Sequence, residues 1–481
     1  MEEERPGGVG RALGAAAVAV SSAAFRQLTR TIGGAERTRV VLVLACVLGL
    51  SGADAATVGA SATELRHSLH IDNTDIGLLV AVSSLVGAAA TLPFGVLADR
   101  VRRTATLGVA IVLWGVAMLW SATSSTFGDL LLARLALGVV TAAAGPIVAS
   151  LVGDYFASSE RGRIYGFILT GELLGAGFGF AVTGDIAALS WQAAFVILAL
   201  PAFALAWLVV RLPEPPRDSR GMLSPDEDGA DDAATVHETD AQRLARERGV
   251  EPDPQAIPRG DPGEIGLIEA VRHVLRVRTN VILIASSALG YYFLAGVQTF
   301  GNEFEKQQYG VSQALANVLL LVIGIGAVTG TLAGGAIGDR LLRRGHLNAR
   351  IWTAACSAAV TTVLWVPALF ARSSVSALPY LIAATLALSA QNPPIDAARL
   401  DIMPAALWGR AEAVRTLLRS LLQALAPLLF GAVSDYVFGG GRSGLQWTFF
   451  VMVFPLGASA VLLFRALRTY PRDVAAAAQA T

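Results

Sequence analysis

Residues Gly95 to Arg103 read GVLADRVRR, and residues Gly335 to Arg344 read GAIGDRLLRR. Each run opens on a glycine, passes through an Asp-Arg pair and closes on further arginines, with long apolar stretches on both sides. Further along, Asp154 is followed by Gly162-Arg163, and Asp401 by Gly409-Arg410 at the same spacing. Two signatures that recur in the same order mark a duplicated unit.

The apolar stretches say what that unit is made of. A membrane-spanning helix needs about 20 mainly apolar residues. Such stretches fall near 40–62, 75–98, 105–122, 127–153, 164–184 and 190–210, then near 279–300, 312–338, 350–370, 376–398, 411–436 and 446–467. Arginine placement orients them. Loops on one side carry Arg100, Arg102 and Arg103, Arg161 and Arg163, Arg340, Arg343 and Arg344, and Arg410. Loops on the other side carry only Arg66, Lys306, Arg372 and Arg442, at most one each. Positive residues stay cytoplasmic, so both termini and the long central loop are expected inside a cell membrane that the chain crosses many times.

Composition agrees. Hydrophobic residues make up 54% and charged ones only 15%, where a soluble domain carries about 25% charged. Much of the surface therefore does not meet water. The net charge is zero, which offers no basic footprint for nucleic acid. Cys46 and Cys356 lie in separate apolar stretches, which builds neither a disulfide framework nor a zinc site. No GxxxxGK[ST] run is present, so an ATP-driven pump is disfavoured. No Ser/His/Asp arrangement points to an enzyme, and the His237-Glu238 pair sits in the central loop.

Five segments follow: an N-terminal cytoplasmic segment 1–38, a six-helix bundle 39–210, a linker 211–278, a second bundle 279–468 and a tail 469–481. The N-terminal segment has a short apolar run, but its acidic opening MEEE is unlike a signal peptide. The linker holds PEPPRDSR and the acidic SPDEDGADD, a composition that buries no core and reads as disordered over part of its length. Its last stretch, EIGLIEAVRHVLRVR, has the spacing of a helix lying on the membrane surface.

GVLADRVRR and its repeat resemble the signature loop of the major facilitator superfamily, over roughly residues 39–468. The resemblance implies an all-α membrane protein of twelve transmembrane helices in two pseudo-symmetric six-helix bundles. It also implies a cytoplasmic gate in which Asp99 and Arg103 latch the halves, with Gly95 and Arg100 and, in the repeat, Asp339, Arg340 and Arg344. The alternative is that the arginines only set topology. The stretch LLLARLALGVVTAAAGPIVASLVGDYFASSERGRIYGF, Leu130 to Phe167, resembles the spinster-like lipid transporters within that superfamily. Those usually carry an acidic residue soon after the fourth-helix arginine. Here the region reads Gly138-Val-Val-Thr141-Ala, so Glu172 is the expected substitute.

Ionisable residues inside a membrane are functional candidates, because each costs about 2.5–3.5 kcal/mol at the bilayer centre. Asp54, Arg134 and Glu172 stand out. At about 1.5 Å per residue, Asp54 lies about 22 Å in from Arg39, and Arg134 lies about 10 Å in from the opposite face. In a core about 30 Å thick those depths nearly coincide. An opposite charge favours an ionised carboxylate and burial disfavours it. A rocking motion that changes both terms would load and release a proton, although a static pair that only fixes packing has the same residues. Glu172, about 13 Å in, has no partner at its own depth.

Tyr291, Tyr292, Gln298, Asn302, Asn317, Gln391, Asn392 and Gln423 are the candidate polar groups of a substrate cavity. Each alone also fits an interhelical packing contact. Pro393-Pro394 is expected to break the tenth span at cavity depth. A lining with few fixed charges favours an amphipathic substrate. The expectation is a monomeric secondary transporter that exports a lipid-like or other amphipathic molecule, powered by a proton gradient, with membrane lipid around it and neither cofactor nor metal. Multidrug efflux and uptake of a small metabolite are the alternatives.

Overall fold

The computed structural model describes residues 29–30, 32–98, 101–156, 161–216, 222–223, 239–257, 267–404 and 407–479. Within them the chain is helical, with no strand. The first half comprises α1 (Ala35–Ala60), α2 (Ala62–Leu69), α3 (Asn73–Ala98), α4 (Arg103–Thr123), α5 (Phe127–Thr141), α6 (Ala144–Tyr155), α7 (Arg161–Phe178), α8 (Gly184–Ala187) and α9 (Trp191–Val210). Two short linker helices follow, α10 (Asp240–Glu247) and α11 (Leu267–Arg276). The second half comprises α12 (Arg278–Tyr309), α13 (Gln313–Arg343), α14 (Ala349–Leu369), α15 (Ser374–Ala390), α16 (Asn392–Asp401), α17 (Trp408–Ala432) and α18 (Gly441–Gln479).

Eleven helices among the described residues are long and apolar enough to cross a membrane, one fewer than the sequence predicts. The missing one is α7, whose turns carry Arg161, Arg163 and Glu172. It runs on through a π-helical turn, Gly179–Thr183, into α8, and it packs along α1.

The halves share their irregularities. The fourth span is interrupted between α5 and α6, and the tenth between α15 and α16. The fifth and eleventh spans both pass into π-helical turns, Gly179–Thr183 and Val433–Val437. The tenth-span interruption lies where Pro393-Pro394 predicts it, because prolines cannot donate to the preceding turn. It is only a bend, since Gln391 keeps helical angles (φ −74, ψ −29).

Turn chemistry closes the hairpins opposite the arginine loops. Thr126, Ser190, Ser312 and Ser373 each accept a backbone N–H of the helix that follows, satisfying one of its free donors. Gly310, at φ 65, ends α12. Glycines also let helices meet: a Cβ on Gly175 would lie 1.9 Å from the Gly49 carbonyl oxygen, and one on Gly330 would lie 2.0 Å from that of Leu386. Small residues at such crossings allow close backbone approach in a membrane. Side chains such as Leu200 and Trp207 are more than half exposed, an apolar surface suited to lipid rather than water.

Two segments outside the predicted spans are built into the structure. The tail is helical to Gln479, and buried Asp473 accepts the Thr279 amide at 3.0 Å at the start of α12. In the linker, α10 begins in a capping box at Thr239, and Gln242 donates to the Asp401 carbonyl at 3.0 Å.

Candidate functional site

α1 and α5 bring Asp54 and Arg134 together inside the first bundle. Arg134 Nη1 donates to Asp54 Oδ1 at 2.7 Å and Nη2 to Oδ2 at 3.4 Å. The side chains are 2% and 8% exposed. Close packing holds them there. A Cβ on Gly138, one turn beyond Arg134, would meet the Ser83 carbonyl oxygen of α3 at 2.4 Å. One turn beyond Asp54, Thr57 and Thr183 share a hydrogen bond of 2.9 Å that ties α1 to the π-helical turn. The Arg134 Nε has no hydrogen-bond partner among the described residues.

Glu172 lies on α7, exposed toward the space between the halves, and the charge of Arg419 on α17 acts on it from the other half. Arg419 stacks over Tyr291, its guanidinium carbon 4.3 Å from the ring centre. Nearer the arginine loops, α16 and α17 pair Arg415 with Asp396 at 2.7 Å and Arg399 with Glu412 at 2.9 Å. Arg415 also pairs with Glu412. A cavity of about 420 Å³ opens beside them. Sequence reading passed over all five of these charges. The available signal was the four-residue spacing of Arg415 and Arg419 inside an apolar span.

The remaining cavity candidates divide. Tyr291, Asn392 and Gln423 are half-buried, and Gln298 is exposed. Tyr292 belongs to the aromatic core of the second bundle, packed on Phe430 with its hydroxyl 3.3 Å from Met452 sulfur. Asn302 is buried, and Gln391 is fully buried against Gly290. The side chain of Asn317 lies outside the described residues.

At the arginine-rich end, Asp99 and Arg100 lie outside the described residues, and Gly95 stands in the last turns of α3. Arg103 is 2% exposed and engages its own half and the linker. It donates to Asp154, to Ser150 Oγ at 3.0 Å, to Glu214 at 3.1 Å and to the Pro215 carbonyl at 2.7 Å. Burial pushes the Glu214 carboxyl up, but hydrogen bonds from Thr104 and Arg103 outweigh it and hold it below the usual carboxylate range. The second half repeats the arrangement with Arg350, which donates to Asp401 at 2.5 Å and to Asp339 at 2.9 Å. Tyr470 also donates to Asp401 at 2.5 Å. Arg340 and Arg344, expected in the gate between the halves, are exposed.

Hydrogen bonds between the halves gather at the opposite end. Glu303 accepts from Thr63 and Arg66. Asp435 accepts the Thr74 amide at 2.7 Å, the Thr74 hydroxyl at 2.9 Å and the Asn73 side chain at 3.0 Å. Gln313 donates to the Ala60 carbonyl at 3.2 Å. Backbones touch there as well: Cβ atoms on Gly77 and Gly431 would lie 2.2 Å from the Pro427 and Asn73 carbonyl oxygens.

Two helical bundles related by repeat and joined at one end, the first of them holding a buried ion pair, define a multi-pass membrane protein of the two-bundle class. The chain belongs to the Major Facilitator Superfamily, whose family model matches residues 44–427. It is similar to the probable L-galactonate transporter of Escherichia coli (strain K12), 27% identical over 175 residues that cover 35% of this chain and 38% of that one. It is also similar to protein spinster homolog 3 of Homo sapiens, 35% identical over 162 residues covering 32% and 31%. The matched segments thus span less than half of either relative. Among solved structures, a bacterial homolog to the human lysosomal transporter spinster, inward-facing and unoccupied, matches with a TM-score of 0.73. It is 18% identical and covers 91% of this chain and 98% of that one. At that identity the likeness shows the fold.

Proposed function

We propose that this protein is a secondary active transporter that moves a small amphipathic molecule across the cytoplasmic membrane by proton-coupled alternating access, in the direction of export. The observation that carries the reading is the Asp54–Arg134 pair, buried and in hydrogen-bonding contact at bilayer depth. Such a pair contributes little net stability, so its retention in hydrocarbon favours a functional role. The carboxylate is ionised while the guanidinium faces it, and it takes a proton when the halves rock and the contact opens. Asp54 carries the proton in this reading, Arg134 releases or recaptures it, and Glu172 is a second proton site.

The cross-half contacts support alternating access. With the arginine-rich loops cytoplasmic, the end joined through Glu303 and Asp435 is the outer one, and the described state opens inward. Arg103 and Arg350, with Asp154, Asp339 and Asp401, hold the inner ends of each bundle as rigid units. Asp99 and Arg100 would complete the inner gate. Relatives named for transport of galactonate, 4-hydroxybenzoate and hexuronate support a small-molecule substrate. They also keep uptake of a metabolite as the second reading.

The test compares lipids and organic acids in cells that make the wild type, the Asp54→Asn variant or no protein. Compounds that change are then carried into proteoliposomes under an imposed pH gradient. Wild type accumulates the substrate against its gradient and Asp54→Asn only equilibrates it. Uphill transport by Asp54→Asn would remove Asp54 from coupling.

A further inference from the structure

Arg415 and Arg419 stand one turn apart on the same face of α17. Like charges at that spacing repel, and each costs free energy inside a span. Arg415 is compensated. Together with Arg399 it faces Asp396 and Glu412, two positive against two negative charges in mutual contact. Arg419 is a fifth charge left over. Among the described residues it forms no ion pair and its buried Nε has no hydrogen-bond partner, while its guanidinium lies on the face of Tyr291. Its field reaches Asp396 in its own half and, across the halves, Glu172, and it makes an ion pair with neither among the described residues.

We propose that Arg419 is the subsite for an anionic group on the transported molecule, a carboxylate or a phosphate, and that Glu172 is the counter-charge this anion replaces. The inference rests on the transporter reading and narrows its substrate class. A guanidinium with a free donor edge takes a carboxylate or phosphate in two parallel hydrogen bonds. Tyr291 fixes the plane of the fork through its ring face. Arg415 adds positive field one turn away, and Gln423, one turn in the other direction, offers a neutral donor beside the apolar body. The lining thus holds more fixed charge than its sequence suggests, and the excess in this half is positive. An amphipathic anion fits it better than a neutral or cationic compound.

The test uses the full-length protein in nanodiscs and two matched pairs, benzoate against benzamide and lysophosphatidate against monoacylglycerol, read by thermal unfolding and intrinsic fluorescence. The anionic member of at least one pair binds about tenfold tighter. A preference in the first pair identifies a free organic acid, and in the second a lipid headgroup. Arg419→Gln abolishes the preference, Arg419→Lys retains part of it, and Glu172→Gln tightens anion binding by removing the competitor. Arg344→Ala, at an exposed arginine away from this site, leaves the preference intact, and because the readout is binding rather than uphill transport, a failure of the coupling reading and a failure of this one are separable. Equal response to both members of each pair, no response to any of the four, or a preference that survives Arg419→Gln in folded protein overturns the proposal.

Discussion

Arg134 presents both terminal nitrogens to the Asp54 carboxylate, at 2.7 and 3.4 Å, and that bond joins α1 to α5 where neither side chain meets solvent. Removing one partner leaves the other charge buried. Arg134→Ala is therefore expected to destabilise the fold by about 3–5 kcal/mol, while Asp54→Asn/Arg134→Gln, which leaves no lone charge, recovers most of the loss. Thermal unfolding in detergent measures both. A double variant no more stable than Arg134→Ala would show that the pair's charge is not what the fold feels.

Arg350 holds Asp401, which is fully buried. Arg350→Ala is expected to cost about 3–5 kcal/mol for the same reason. Arg344→Ala, at an exposed site, should stay within about 0.5 kcal/mol. Unfolding temperatures of the two variants side by side decide it, and equal losses would refute the assignment.

The α1–α7 contact tolerates no Cβ. Gly175→Ala would place a methyl 1.9 Å from the Gly49 carbonyl oxygen, against backbone that cannot move aside. The expected result is loss of monodisperse protein on size-exclusion chromatography. Gly128→Ala, with nothing within 4 Å of its Cβ, serves as the unaffected control.

Glu214 ties the segment after α9 to the start of α4, and its carboxyl is held below the ordinary range. A depressed folded value contributes stability that is fully present above the unfolded value, about 4.3, and is lost as pH falls through the folded value. Wild type should therefore unfold at higher temperature than Glu214→Gln at neutral pH. The gap should close as the medium is acidified below about pH 4. A gap that widens in acid would contradict the hydrogen-bond account.

Topology was legible in the sequence because a bilayer imposes one-dimensional rules. Span length, arginine in alternate loops and the repeat of GVLADRVRR in GAIGDRLLRR each read along the chain. Depth along a helix is also linear, which is why the sequence alone places Asp54 and Arg134 at nearly one level. Pairings between residues far apart at one depth are not linear. That Arg350 holds Asp401, that Tyr292 packs into an aromatic core, and that the charge of Arg419 reaches Glu172 from the other half depend on helix rotation and neighbour order. Close approach at glycines such as Gly138 and Gly175 sets those rotations, and only the packed bundle decides which neighbour each glycine admits.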